Sequence, residues 1–466
     1  MREKLPVTLG DLARVVEGQL VAGAAGTVIN GFSIDSRSLN LGDMFVAIRG
    51  DQFDGHMFVS EALKRGACGA VVSDPAALGS PPAFGVVVND TLRALQMLGR
   101  YIRRASGARV VAITGSVGKT TTKELTAAVL GTQYRVFRNR GNLNNQIGLP
   151  LSLLELRTQP EIAVVEIGMN NFGEISRLVK IAEPDLRVWT NVAEVHAEFF
   201  PSVEGIADAK AEILEGATPD DVVVANAADP LVMDRVSRFA GLVTTFGVGV
   251  EAEVATTDVE DLGLDGIRAK VKTPAGTTTI NTPLLGRGNL ANILAAIAVA
   301  LQYNVPLATA SERVATVAAP PHRGRVRRLS RGVVVVDDSY NSSPLAVATA
   351  LETLSRDQRV GRRVAVLGEM MELGARADAL HRMTGRAAAA GGLGLLLTVG
   401  GDAARVLGEA AVGAGMPANR VIHCDVSEEA ATRLVPMLQE RDVVLVKGSR
   451  VVRTDLVVAR LEAEFA

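Results

Sequence analysis

The clearest pattern along the chain is an apolar run that stops at glycine and resumes as a helix. Val110-Val111-Ala112-Ile113 has no polar interruption, so it reads as a strand buried on both faces. Thr114-Gly115-Ser116-Val117-Gly118-Lys119-Thr120-Thr121 follows as a glycine-rich turn that opens a helix-forming stretch. The alternation continues downstream. Residues 161–167, 186–190, 221–225 and 242–246 read as strands, with helices from about residue 174, over 203–214 and after 225. Residues 252–285 change to short polar-alternating runs with turn residues, the pattern of an antiparallel addition, and 289–301 return as a strongly apolar helix read as packed core.

After Pro320-Pro321, strands are expected at 332–336, 363–367, 394–399, 420–423 and 442–446, with helices between. Before the glycine-rich turn, a helix is expected at 9–17 and strands at 28–34, 43–48, 70–72 and 85–88. Strand–helix alternation predicts an α/β fold. Its three expected parts are a small α/β N-terminal domain (1–108), a central domain with a mainly parallel sheet (109–319) and a doubly wound C-terminal domain (320–466). Length agrees, since 466 residues at roughly 100–200 per domain allow two to four domains.

Composition excludes several functions. Aromatics are only 4% of residues, too few for platforms that stack single-stranded nucleic acid. Net charge is −2, from 49 basic and 51 acidic residues, with no long basic run, so no nucleic-acid partner is expected. The small cluster Arg323, Arg325, Arg327 and Arg328 is still able to hold phosphates. Cys68 and Cys424 offer neither a disulfide framework nor metal-ligand spacing, and both read as buried small residues in a reduced compartment. The first residues lack the apolar core of a signal peptide, and no run of about 18 apolar residues exists. A cytoplasmic chain without a membrane span is expected.

The glycine-rich turn carries the strongest chemistry. Glycines let backbone amides turn toward an anion, the helix N-terminus adds its positive end, and Lys119 supplies a full charge to the β- and γ-phosphates. Gly115, Ser116, Val117, Gly118, Lys119, Thr120 and Thr121 are therefore candidate ATP-binding residues, and the Thr120 hydroxyl is a candidate Mg²⁺ ligand. The general loop is GxxxxGK[ST], but Ile113 stands at its first glycine; the pattern here is the shorter TGxxGKT.

Glu166 ends an apolar strand beside this loop, where ligands of open parallel sheets collect, and suits the hard cation Mg²⁺; a merely solvated glutamate is the competing reading. His196 follows the next strand and could bind a second metal, although a lone loop histidine often has no role. Lys210 stands inside a helical stretch, where a lysine ordinarily just faces water. Asp337-Asp338-Ser339-Tyr340-Asn341 and Lys447-Gly448-Ser449-Arg450 each follow a buried strand of the third part, at the edge that would face an inter-domain cleft. For these runs, and for Asp35-Ser36-Arg37 and the 50–56 turn, plain turn chemistry competes with ligand binding.

In this order these motifs resemble the Mur ligases, ATP-dependent enzymes that add amino acids to the peptidoglycan precursor. The resemblance runs along essentially the whole chain. It rests on TGxxGKT at 114–120, Asp35-Ser36-Arg37, the run at 42–56 ending FDGH, Gly141 to Gly148, Glu166 to Asn170, Thr190-Asn191 with His196, Ala209-Lys210, Gly288-Asn289 with Asn292, Asp337 to Asn341, Gly368-Glu369-Met370 with Glu372-Leu373-Gly374, and Lys447 to Arg450. It implies an N-terminal domain for the UDP end of the substrate, a central ATPase domain and a Rossmann-like C-terminal domain that closes over ATP and receives the amine.

It further implies that Asp35, Ser36 and Arg37 lie near the uridine diphosphate, that Asn142, Asn144 and Asn145 line the muramoyl-peptide path, and that Asn289, Asn292, Arg325 and Asp338 contact ATP. Lys447, Ser449 and Arg450 become substrate-binding candidates. Lys210 matches a family lysine that is carbamylated in several members; with Thr120, Glu166 and His196 it completes the implied metal set, and with Lys119, Glu166 and His196 the catalytic set. Val117 departs from a position that is often polar in the family, and Arg323 competes with Arg325. The diaminopimelate-adding branch typically carries Asp-Asn-Pro-Arg; this chain has Lys-Gly-Ser-Arg, which favours the branch joining D-alanyl-D-alanine to UDP-N-acetylmuramoyl-tripeptide. A monomer is expected. Rival expectations are a sister ligase of the superfamily and a nucleotide-binding regulatory ATPase.

Overall fold

The computed structural model describes residues 4–50, 53–80, 82–141, 143–194, 200, 202–357 and 361–466. Three sheets organise the chain. The first comprises β1 (Gln19–Ala22), β2 (Gly31–Ser33), β3 (Asp43–Val46), β4 (Gly69–Val72) and β5 (Gly85–Val87), in the order β1-β5-β4-β3-β2. Only β1 runs antiparallel to its neighbour. The second comprises β6 (Arg109–Thr114), β7 (Val136–Arg138), β8 (Ile162–Glu166), β9 (Leu186–Trp189), β10 (Val222–Asn226), β11 (Leu242–Val248), β12 (Val254–Asp261), β13 (Ile267–Thr273) and β14 (Gly276–Thr282). Its order is β14-β13-β12-β11-β10-β9-β6-β8-β7, parallel from β7 to β12 and antiparallel at β13 and β14.

The third comprises β15 (Arg325–Arg328), β16 (Val334–Asp338), β17 (Arg363–Gly368), β18 (Leu395–Val399), β19 (Val421–Cys424) and β20 (Val443–Lys447), ordered β15-β16-β20-β17-β18-β19 and parallel except for β15. This is a three-domain α/β architecture.

The uninterrupted apolar strands are explained by burial on two faces. Along β6, Val110 and Ala112 enter one core and Val111 and Ile113 enter another on the opposite face. Neighbouring β8 divides in the same way, Ala163 and Val165 against Ile162 and Val164. The second core is roofed by the helices Lys119–Leu130 and Gly286–Gln302. The first continues without a break into the N-terminal sheet through Met44, Val46, Val71 and Val86. The helix Thr91–Ser106 bridges the two, its Leu95, Leu98 and Ile102 buried in that shared core.

Several expected elements shift. The first helix, Leu9–Val15, stops short of Glu17, whose φ is 54°. The short edge strands β1, β7 and β15 and the Thr91–Ser106 helix were not legible as separate elements. The 252–285 addition is antiparallel only from β13 onward, because β12 joins β11 in parallel. Cys424 is buried as expected; Cys68 is half-buried, and both are free thiols. Among the described residues, no helix is long and apolar enough to cross a membrane.

Topology places the site. From β6 the chain builds outward to β7 and returns through β8 on one side, then crosses to β9 on the other. β6 is therefore the switch point, and the crevice beyond its carboxyl end is where open α/β sheets hold ligands.

Candidate active site at the carboxyl ends of two sheets

The loop between β6 and the helix Lys119–Leu130 needs glycine twice. Gly115 has φ 146°, and a Cβ there would stand 1.9 Å from Thr190 Oγ1. Gly118 has φ 90°, and its Cβ would stand 2.3 Å from Asn292 Oδ1. Both L side-chain sterics and neighbours forbid a larger residue. The segment after β9 locks the loop. Thr190 Oγ1 donates to Val117 O at 2.8 Å, Asn191 Oδ1 accepts Val117 N–H at 2.9 Å, and Asn191 Nδ2 returns a bond to Val117 O at 2.9 Å. Ser116 Oγ exchanges hydrogen bonds with the Ala193 backbone at 3.1 and 2.9 Å. The exposed Val117 side chain contributes no polar group, but its backbone is held on both sides.

Lys119 folds back and donates to the carbonyls of Gly115 at 2.7 Å and Ser116 at 3.2 Å. Burial of its amine lowers its pKa from the ordinary lysine value; Glu166 opposes this and Arg323 reinforces it. Next to it, Thr120 Oγ1 donates to Glu166 Oε2 at 2.7 Å, while Asn144 Nδ2 donates to Glu166 Oε1 at 2.7 Å. Asn139, which motif reading missed, accepts the Glu166 amide on Oδ1 at 3.0 Å. Thr121 is buried on the same helix.

A hydroxyl and a carboxylate side by side, with Glu166 2% exposed, form a donor set that fits Mg²⁺, which takes one or two carboxylates and fills its remaining positions with water and substrate phosphate. Among the described residues no group of three His, Cys, Asp or Glu side chains is arranged to hold a metal by itself. His196 and Asn142 lie outside the described residues.

Lys210 overturns the expectation of a solvent-facing helix lysine. It occupies the last turn of Val203–Ala211, is 1% exposed and has no hydrogen-bond or ion-pair partner among the described residues. Burial pushes its pKa well below the ordinary lysine value, and the charge of Lys119 pushes it the same way.

From the neighbouring helix Gly286–Gln302, Asn292 Oδ1 accepts the Thr122 hydroxyl at 3.1 Å, Asn292 Nδ2 donates to Asn289 Oδ1 at 3.1 Å, and Asn289 Nδ2 donates to Leu285 O at 2.9 Å. These asparagines brace the helix that carries the loop. Asn145 is used locally: its Oδ1 accepts the amides of Ile147 at 3.2 Å and Gly148 at 2.8 Å at the start of the helix Gly148–Leu153. Asn144 and Asn145, adjacent in sequence, thus have different tasks.

In the third domain, buried Lys447 at the end of β20 donates to Asp338 Oδ2 at 2.6 Å and to Asn341 O at 2.9 Å. Ser449 Oγ accepts the Met371 amide at 3.0 Å. Arg323 and Arg450 converge on one ring, 4.0 and 5.4 Å from the Tyr340 centroid. Arg323 is near enough to Lys119 to act on its charge. Arg325 is half-buried on β15, opposite Asp337 of β16. Tyr340 is the point the two arginines share, and only the packing reveals it.

In the N-terminal domain, Arg37 grips Asp35 through two bonds of 2.9 and 2.8 Å, which hold the carboxyl at about 2; Ser36 between them is buried. In the FDGH turn, Asp54 binds His56 Nδ1 at 2.6 Å and Arg49 at 3.0 Å.

Comparison with known proteins shows the family. Three family models match in chain order: the Mur ligase family catalytic domain over residues 28–105, the Mur ligase middle domain over 113–300, and the Mur ligase glutamate ligase domain over 322–450. The UDP-N-acetylmuramoyl-tripeptide–D-alanyl-D-alanine ligase of Bacillus subtilis (strain 168) is 33% identical over 97% of this chain and 98% of its own length. That of Escherichia coli (strain K12) is 33% identical over 98% and 99%. Among solved structures, MurF from Acinetobacter baumannii aligns with a TM-score of 0.88 at 30% identity, covering 99% of this chain and all (100%) of its own. MurF ligase from Thermotoga maritima in complex with ADP aligns with a TM-score of 0.81 at 31% identity, covering 93% and 97%. With its three sheets, its loop at the switch point and these full-length matches, the chain belongs to the Mur ligase family.

Proposed function

We propose that this chain is an ATP-dependent ligase that joins D-alanyl-D-alanine to UDP-N-acetylmuramoyl-tripeptide through an acyl phosphate, in peptidoglycan precursor synthesis. The observation that carries the reading is the buried Thr120–Glu166 pair beside a phosphate loop whose lysine, among the described residues, has no carboxylate in contact. Full-length similarity to ligases of that name supports the choice of substrates.

The chemical difficulty is charge. A substrate carboxylate must attack an anionic γ-phosphate, so repulsion has to be cancelled and the groups held in line. Loop amides from Gly115 to Thr121 and the helix N-terminus hold the phosphates. Lys119 exchanges its loop carbonyls for phosphate oxygens. Thr120 and Glu166 would hold Mg²⁺, which would supply positive charge against the anionic phosphates. Arg323, stacked on Tyr340 and already near Lys119, is placed to bring a second cation from the third domain; Arg325 and Asp338 remain candidate ATP contacts, with Asn289 and Asn292 behind the loop. Burial pushes the Lys210 amine toward its uncharged form, the one that takes up carbon dioxide as a carbamate, which supports a metal-binding role shared with His196.

We assign residues 1–108, 109–319 and 320–466 to UDP-substrate binding, ATP binding and closure with the incoming dipeptide. Asp35, Ser36 and Arg37 would meet the uridine diphosphate, Asn142 and Asn144 the muramoyl-peptide side, and Lys447, Ser449 and Arg450 the dipeptide. Closure of the third domain would keep water from the acyl phosphate.

The test is ADP release with UDP-N-acetylmuramoyl-tripeptide, with and without D-alanyl-D-alanine or single amino acids. Sustained release only with the dipeptide is expected. Release indifferent to every amine would support a regulatory ATPase instead, and release driven by one amino acid a sister ligase.

A further inference from the structure

Lys123 lies one turn beyond Lys119 on the same helix and is fully buried. A lysine taken out of water needs acceptors around its amine. Those of Lys123 are not in the phosphate loop. Its Nζ donates to the carbonyls of Asn139 at 2.6 Å and Gly141 at 3.3 Å and lies 3.3 Å from Glu124 Oε1; Glu124 is held in turn by Arg138 at 2.6 Å.

The turn gripped by Lys123 is the one that aims Glu166. Asn139 Oδ1 accepts the Glu166 amide at 3.0 Å, and its Nδ2 donates to Leu143 O at 2.9 Å. Asn144 donates to Glu166 Oε1 at 2.7 Å, and Glu166 Oε2 accepts the Thr120 hydroxyl at 2.7 Å. Asn144 is fixed from its other side by the Gly168 amide on its backbone carbonyl at 2.9 Å, and a Cβ on Gly168 would stand 3.0 Å from Asn144 Cγ and Nδ2. Thr120 and Lys123 share one helix, so the hydrogen bonds form a closed circuit: helix, turn, carboxylate, helix.

We propose that Lys123 is a positioning residue, which moors the turn bearing Asn139 and Asn144 to the phosphate-binding helix and thereby fixes the orientation in which Glu166 meets the divalent cation of the bound nucleotide. The proposal rests on Thr120 and Glu166 being the cation ligands. A lysine that only glued the fold together would change stability without changing cation affinity.

Lys123→Met keeps the length of the side chain and removes its donors. Mn²⁺ binding to the full-length ADP-loaded protein, read from the electron paramagnetic resonance of free Mn²⁺, is expected to weaken about 10–100-fold, the usual effect of losing a partner behind a metal ligand. Metal-free ADP binding, read by equilibrium dialysis, is expected to stay at the wild-type value, because the loop and Lys119 are untouched. Lys123→Met combined with Asn144→Ala is expected to be no weaker than the worse single variant, since members of one network do not add. Wild-type Mn²⁺ affinity in Lys123→Met, or losses that multiply in the double variant, would overturn the proposal. If Lys123→Met does not fold, Lys123→Gln takes its place with the same two readings. Failure of the ligase reading is separate: it appears as wild-type ADP release that ignores D-alanyl-D-alanine, and it leaves the cation titration standing.

Discussion

The central and C-terminal sheets each bring a lysine to the carboxyl edge of their parallel strands, and they treat it in opposite ways. Lys447 is buried with a carboxylate partner, Asp338, at 2.6 Å and a carbonyl, Asn341, at 2.9 Å. Among the described residues Lys119 has only two loop carbonyls, and Lys210 has no partner at all. A buried cation with its counter-ion in place is part of the framework and aims its neighbours. One without a counter-ion carries an electrostatic cost that an incoming anion relieves. Under the proposed ligase reading, the central sheet would be the side where phosphate enters and the C-terminal sheet the side with its cation already paired.

The hardest test of that contrast is Lys119→Ala. It should lower ADP release by about 10²–10³-fold or more, as loss of a preorganised charge stabiliser does. Without nucleotide, its melting temperature should not fall, because a half-buried amine held only by two carbonyls among the described residues has been removed. A clear loss of stability without ligand would place Lys119 in the framework and break the contrast.

Gly115→Ala acts on the geometry rather than the charge. Its Cβ would meet Thr190 Oγ1, and φ is 146°. Strain of roughly 1–3 kcal/mol should appear mainly as weaker ATP binding, measured by calorimetry. Asp338→Ala reverses the pattern of Lys119→Ala. It leaves Lys447 buried without its carboxylate, so stability in chemical denaturation should fall by roughly 1.5–3 kcal/mol even without nucleotide.

The smallest effect belongs to an ion pair far from either lysine. Hydrogen bonds from Arg104 hold the Glu183 carboxyl down to about 2, against the opposing effect of burial, and Arg100 adds to the hold. Its folded pKa lies below the ordinary value of 4.5, so its stabilisation is present above 4.5 and is lost as pH falls toward 2. Solvent screening limits that contribution to about 1 kcal/mol or less. Glu183→Gln should therefore melt slightly below the wild type at pH 7, and the gap should close in acid.

Much of the fold follows from short-range rules. A β-branched run without polar breaks must be buried on both faces, and glycines followed by lysine between such a run and a helix make a phosphate loop. β6, the loop and the Lys119–Leu130 helix were legible for that reason, as were Glu166 at its strand end and the parallel strands of the third domain. Short edge strands such as β7 and β15 were not. With three or four residues each they show little period, and they exist because a neighbouring strand offers its hydrogen bonds.

Side-chain environment was beyond the sequence for the same reason. Lys210 has an ordinary helical context in the chain but is buried; Arg323 and Arg325 are separated by one glycine, but it is Arg323 that stacks on Tyr340 and acts on Lys119. Asn144 holds a carboxylate while its neighbour Asn145 caps a helix. The sequence by itself determined where backbone amides and a lysine could receive phosphate, because that depends on glycine and on helix polarity within a few residues. That Lys210 lies buried without a counter-ion among the described residues, and which asparagine aims Glu166, was decided only by tertiary structure, because desolvation and hydrogen-bond partners come from segments far away along the chain.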